Sequence, residues 1–139
     1  KGVFWISCYG ALSAKHTRSL LSAEDSHPHF NDFYELQDIG DALLGAGFEN
    51  VVLESSLINL EYTSVEALMA DAERVFGMNL HAHRHKGLTP PSVLHGFKRR
   101  LAAVIEAEGK FTEQVEILIA HGRKPASPKL EGMIPVRQG

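Results

Sequence analysis

Three histidines at alternate positions are the first feature of this sequence that could carry out chemistry. His81, His83 and His85 lie in the run NLHAHRHKGLTPP, which covers residues 79–91. Histidines are common zinc ligands, and zinc sites usually have three or four protein ligands. A spacing of two places all three on one face only in a β-strand, whereas the glycine and prolines beside them are typical of a loop. Since no cysteine is nearby and two cations flank the run, we expect solvated histidines and no metal, with zinc binding as an open alternative.

The histidine run belongs to a stretch that contains no acidic residue. No Asp or Glu occurs between Glu73 and Glu106, and the chain has a formal net charge of −3, so the sign of the charge reverses here. The basic residues of the stretch are Arg74, Arg84, Lys86, Lys98, Arg99 and Arg100. This pattern predicts a surface for an acidic partner or a site for a carboxylate or phosphate. A solvated helix face beside a charged loop is the alternative that the residues leave open.

Other candidates for catalysis are weaker. Ser7 and Cys8 follow a predicted strand, but no G-x-S-x-G turn surrounds them. A lone cysteine is more often a small buried side chain than a nucleophile, and His121 at the end of the last predicted strand is interpreted as structural. The glycines of GDALLGAG do not follow a strand, as a dinucleotide-binding loop must. We therefore assign no catalytic residue.

Composition limits the class of protein. The 139 residues are 44% hydrophobic and 22% charged, which is typical of one globular domain or part of one. The slightly acidic balance favours neither nucleic acid nor an anionic membrane as partner. A single cysteine, Cys8, cannot form an internal disulfide, so we expect a cytoplasmic protein. The sequence opens directly on the apolar run GVFWIS without a secretion signal, which leads us to expect a piece of a longer protein.

Hydrophobic periodicity predicts an α/β arrangement in the order strand, helix, strand, helix, helix, strand. A further short helix is compatible with KHTRSLLSA, and SHPHFND is predicted to be a loop. We expect Asp38 to cap the helix IGDALLGAG, and Thr63 with Glu66 to form a capping box for the next helix. The predicted strands are GVFWIS, NVVLESSLINLEY and VEILIAHG; the predicted helices are IGDALLGAG, SVEALMADAERVF and SVLHGFKRRLAAVIEAEG.

Several of these segments, in this order, resemble a known family. GVFWISCYGALS is similar to the fifth core strand of class I S-adenosylmethionine-dependent methyltransferases, and FYELQDIGDALLGAGFENVVLE is similar to the following helix and sixth strand. HFNDFYELQDIGDALLGAGF, LEYTSVEALMADAERVFGMN, RHKGLT, VEILIAHGRKP and IPV together resemble the malonyl-acyl-carrier-protein O-methyltransferases of biotin synthesis. The resemblance covers nearly the whole chain, but only the C-terminal half of such an enzyme.

The resemblance implies a fold as well as an activity. Residues 1–125 would be the C-terminal portion of a Rossmann-like sheet, namely strands five, six and seven, with residues 64–109 inserted as a helical lid and 126–139 as an extended tail. The last strand would lie antiparallel between the other two. GVFWIS would then have an exposed edge, which predicts a homodimer.

In the complete enzyme, the resemblance implies methyl transfer from S-adenosylmethionine to the malonyl carboxylate on acyl carrier protein. It suggests Arg84 and Lys86 for the substrate, and Lys98, Arg99 and Arg100 for the acidic carrier. The family's glycine-rich cofactor loop is absent from this sequence, so we expect the chain alone to bind no cofactor and to be inactive.

Departures from the family pattern, among them Ala11 and Leu12 after the first strand, leave a paralogue with another acceptor open. A non-catalytic binding module that keeps this architecture is also open.

Overall fold

The structure, a computed structural model, describes residues 2–76 and 87–126. The described residues form three strands and four helices, which confirms the α/β class. In chain order the elements are β1 (Gly2–Tyr9), α1 (Lys15–Ser22), α2 (Leu36–Gly45), β2 (Glu49–Tyr62), α3 (Val65–Phe76), α4 (Pro91–Glu108) and β3 (Phe111–Lys124). The further short helix, with which the run KHTRSLLSA is compatible, is present as α1. None of the described helices has the length and apolar character needed to cross a membrane.

The three strands form one sheet in the order β1-β3-β2. β3 pairs antiparallel with both neighbours, placing His121 opposite Trp5 and Phe111 opposite Tyr62. β1 and β2 consequently run in the same direction, and their carboxyl ends lie at the same edge of the sheet. The predicted antiparallel insertion of the last strand between the other two is confirmed.

Two helix starts differ from the prediction. α2 begins after Glu35, and the side chain of Asp38 accepts a hydrogen bond from the Glu35 amide at 3.3 Å. The helix has already begun at Leu36, so Glu35 is its N-cap. Asp38 is the third helical residue and forms the second half of a capping box with Glu35. At α3, the Oγ atom of Ser64 accepts a hydrogen bond from the Ala67 amide at 3.2 Å, so Ser64 takes the capping position expected for Thr63.

Apolar side chains pack on both faces of the sheet, since alternate residues of a strand point in opposite directions. On one face, α2 contributes Ile39 and Leu43, which pack with Leu118 and Ala120 of β3. On the other face, α3 and α4 cover one end of the sheet. The buried cluster there contains Tyr62, Leu68, Phe97, Leu101 and Phe111. Leu20 and Leu21 of α1 pack against this second cluster, which holds α1 beside α4 and so positions the surface described next.

Candidate functional site

The three carrier-binding candidates lie on α4, and all three are exposed. Lys98 and Arg99 line a shallow open depression together with His95 and Ser92, which lie one and two turns earlier on the same helix. Within the described residues, neither Lys98 nor Arg99 has an acidic partner within ion-pair distance. Two cations that have no acidic partner among the described residues can attract an anionic partner from solution.

Arg100 has a different environment from the other two. Its Nε atom donates to Glu24, which follows α1. Glu24 approaches α4 at Gly96, where an added Cβ atom would collide with the Glu24 carboxylate. Glu24 therefore offsets part of the charge of Arg100, and this contact ties the end of α1 to α4. Whether Arg100 also meets a carrier protein stays a prediction.

The two substrate-binding candidates, Arg84 and Lys86, lie outside the described residues, as do the three histidines at 81, 83 and 85. The alternative zinc site on that loop therefore also falls outside the part of the chain that the structure describes. Within residues 2–76 and 87–126, no group of three or more His, Cys, Asp or Glu side chains could hold a metal ion.

A cavity of about 280 Å³ lies between α1 and the loop of residues 25–32. Asp25 is central to this loop: its Oδ1 atom accepts hydrogen bonds from the His27 amide at 3.0 Å and from His27 Nδ1 at 2.8 Å. These two bonds lower the pKa of Asp25 from 3.8 to about 2. His29 Nε2 lies 3.2 Å from the other carboxylate oxygen of Asp25. Arg18 also lines the cavity.

Arg18 is held in place by the loop that follows β1. Its Nη2 atom donates to the Ala11 carbonyl at 2.8 Å, and its guanidinium lies 5.3 Å from the centroid of the Phe33 ring. Among the described residues no carboxylate forms an ion pair with Arg18. Sequence reasoning missed this cavity, because it interpreted SHPHFND only as a loop. The two histidines spaced around Pro28 were the available signal.

Two buried carboxylates of β3 hold the segment between β1 and α1. Glu113 accepts hydrogen bonds from the amides of His16 and Thr17, at 3.2 and 2.5 Å, and so caps the first turn of α1. Glu116 accepts from the Leu12 amide at 3.3 Å and from Ser55 Oγ at 2.7 Å. Both carboxylates have their acceptor atoms engaged, so their role here is to position the chain rather than to transfer protons.

Cys8 and His121 were the weaker catalytic candidates of the sequence analysis. Burial raises the pKa of the Cys8 thiol, which disfavours the thiolate that a nucleophile needs. His121 stacks on the Trp5 ring with the two ring centroids 4.2 Å apart. Neither environment is that of an activated catalytic group.

Comparison with known proteins shows which enzymes this chain is similar to. The α/β fold, with its three-stranded sheet, is compatible with part of a methyltransferase. No protein-family model matches the chain. Seven curated relatives do match, and their shared name is malonyl-[acyl-carrier protein] O-methyltransferase.

Three of these relatives illustrate the extent of the similarity. The Nitrosospira multiformis protein is 29% identical over 127 residues, which are 90% of this chain and 40% of that protein. The Methylovorus protein is 29% identical over an alignment of 142 positions, gaps included, which covers 99% of this chain and 47% of that protein. The Legionella pneumophila protein is 25% identical over 130 residues, 94% of this chain and 46% of that protein. The chain thus spans less than half the length of the relatives it matches, and the similarity falls in a C-terminal part of them. The resemblance seen in the sequence is confirmed.

Proposed function

We propose that the chain is the C-terminal, substrate-side part of an S-adenosylmethionine-dependent methyltransferase that acts on malonyl-acyl carrier protein. The similarity to relatives of that name over 86–99% of the chain carries this proposal. In it, β1, β2 and β3 are strands five, six and seven of the complete sheet, α3 and α4 belong to a substrate lid, and residues 126–139 are a tail. A cytoplasmic location belongs to the same proposal.

The proposed methyl transfer does not need a strong general acid or general base in this part of the enzyme. An ionised malonyl carboxylate is already a nucleophile, so the requirement is to hold it in line with the methyl group. Arg84 and Lys86 are our candidates for holding that carboxylate. The described part of the chain contains no glycine-rich loop after a strand, so we expect titration calorimetry of the isolated chain with S-adenosylmethionine to show no saturable binding. Tight binding would contradict the assignment of the cofactor site to the rest of the enzyme.

The α4 depression is the proposed docking surface for the acidic carrier. Lys98 and Arg99 have no acidic partner among the described residues, so their field is available to a carrier, and long-range attraction of this kind raises the association rate. Arg100 contributes less in this proposal, because Glu24 offsets its charge. Docking therefore depends mainly on Lys98 and Arg99.

The experiment is a charge reversal that leaves the Arg100 ion pair intact. Lys98→Glu with Arg99→Glu should weaken binding of malonyl-acyl carrier protein by about tenfold or more at low salt, and by less at high salt. Lys15→Glu with Arg123→Glu reverses two exposed cations that lie outside α4, so it is the matched control and should have a small effect. Fluorescence anisotropy of a labelled carrier measures both. Equal weakening by the control would show that only net charge matters, and would contradict a docking site on α4.

A non-catalytic binding module is the second candidate function. One observation favours it: the residues that line the depression all lie on α4 of this chain. The same anisotropy experiment on the isolated chain, together with the sequence upstream in the parent gene, separates the two candidates. An upstream cofactor-binding half in the same reading frame supports the enzyme.

The outer edge of β1 completes the proposal. Within the described residues β1 pairs only with β3, and Val3 and Trp5 are 64% and 63% exposed. An unpaired apolar edge tends to pair with another chain, so we propose that the isolated chain forms a homodimer through β1. Sedimentation equilibrium should show the dimer, and Val3→Lys with Trp5→Lys should shift it to monomer. A monomer at every concentration tested would contradict the homodimer.

A further inference from the structure

The cavity beside α1 contains an unusual concentration of unsatisfied polar atoms. Among the described residues, three buried side-chain polar atoms have no hydrogen-bond partner: Arg18 Nε, Asp25 Oδ2 and His29 Nε2. All three residues line this one cavity. The Asp25 and His29 atoms are 3.2 Å apart, but their orientation does not make a hydrogen bond. Buried polar groups nearly always have partners, so a bound molecule is expected to supply them here.

The chemistry of the three atoms restricts what that molecule can be. Arg18 Nε can only donate a hydrogen bond, whereas the ionised Asp25 carboxylate can only accept one. A simple carboxylate ligand would satisfy Arg18 but would face the negative charge of Asp25. A simple cation would satisfy Asp25 but would face Arg18. A secondary amide carries a carbonyl acceptor and an N–H donor on opposite sides of one planar C–N bond, and so offers one group to each of the two residues without a net charge.

The size and position of the cavity agree with a chain-like ligand. Its volume of about 280 Å³ is close to the lower end of the range for small-molecule pockets, which is about 300–1,000 Å³. Leu21 and Pro28 add apolar surface to its lining. The next residue before Asp25 is Glu24, which pairs with Arg100 on α4. Glu24 therefore ties the loop that lines the cavity to Arg100, the sequence neighbour of the proposed docking residues Lys98 and Arg99.

We propose that this cavity binds an amide-bearing chain, and specifically the pantetheine arm by which a carrier protein holds its acyl group. An arm carbonyl accepts from Arg18 Nε, and the N–H of the same amide donates to Asp25 Oδ2. His29 Nε2, which can donate or accept, is a further contact for the arm. The assignment to a carrier arm rests on the proposed function, whereas the assignment to an amide rests on the cavity alone.

The test is a titration of the ¹⁵N-labelled chain with free pantetheine, followed by NMR. Pantetheine should shift the amide signals of residues in α1 and in 25–32. Arg18→Gln should weaken this binding by about tenfold, whereas Lys15→Gln, an equal loss of charge on the same helix, should leave it unchanged within about twofold. Because Arg18→Gln also removes the bond to Ala11, Ser22→Leu provides a second variant. Ser22 is exposed and lines the cavity, so a leucine there should block entry without altering the fold.

Each outcome of the titration either supports or overturns the proposed amide site. Shifts confined to the cavity and lost in both Arg18→Gln and Ser22→Leu support the proposal. No shifts, shifts elsewhere, or binding that survives Ser22→Leu overturn it. Malonate titrated in the same way should not bind at this cavity, and malonate binding that excludes pantetheine would identify an anion site instead. If pantetheine binds here while the α4 charge reversal leaves carrier binding unchanged, the docking proposal fails and the amide site stands.

Discussion

The two ends of one sheet face differ in how they are covered. At the end formed by Tyr62 and Phe111, α3 and α4 pack on the sheet, and Phe111 and Val115 are each only 5% exposed. At the other end of the same face, Trp5 is 63% exposed and Val52 is 45% exposed, although these residues are as apolar as those at the covered end. The difference is therefore one of packing partners and not of composition. Most of the burial that stabilises this face should come from the covered end, and the uncovered end is available to another segment or chain.

The largest predicted effect separates the two ends directly. Leu101 is fully buried in the covered end, and Leu101→Ala should lower the free energy of unfolding by about 2–5 kcal/mol, because it removes packing and leaves a cavity. Trp5→Ala removes a larger side chain at the uncovered end but should cost much less in the monomer, since most of that side chain is already in water. Urea unfolding followed by circular dichroism measures both. Equal losses for the two variants would mean that the uncovered end is packed in solution.

A smaller effect is expected from the buried carboxylate that caps α1 from the covered end. Glu113→Gln keeps the size of the side chain but removes the charge and one acceptor, which leaves an amide of the first turn of α1 without its partner. The expected loss is about 1–3 kcal/mol in the same urea experiment. Glu54→Gln, an exposed glutamate on β2, is the matched control and should change stability by less than about 0.5 kcal/mol. A loss no larger than that of the control would show that the cap is dispensable.

The features that could be predicted from the sequence are local ones, and those that could not depend on contacts between distant parts of the chain. The strands and the main helices followed from local periodicity, and the insertion of β3 between β1 and β2 followed from the resemblance. The positions of Glu113 and Glu116 did not, because their partners at residues 12–17 are about one hundred positions away in the chain. A glutamate in a strand is ordinarily interpreted as facing water. The cavity was missed for a related reason: it forms only where α1 and the 25–32 loop meet.

The smallest predicted effect lies outside both ends of the sheet, at Asp25, and it should depend on pH. The hydrogen bonds from His27 lower the pKa of Asp25 in the folded chain from 3.8 to about 2. Stabilisation from this carboxylate is therefore fully present above its unfolded pKa and is lost as the pH falls from about 3.8 to about 2. Asp25→Asn should cost about 0–1 kcal/mol at neutral pH, because the His27 side chain that pairs with the carboxylate is nearly half exposed and the pair is screened by solvent. The difference between the wild type and Asp25→Asn should shrink across that acidic range, whereas the loss caused by Leu101→Ala should not follow it. A constant difference between the wild type and Asp25→Asn at every pH would show that the Asp25 carboxylate contributes by its shape rather than by its charge.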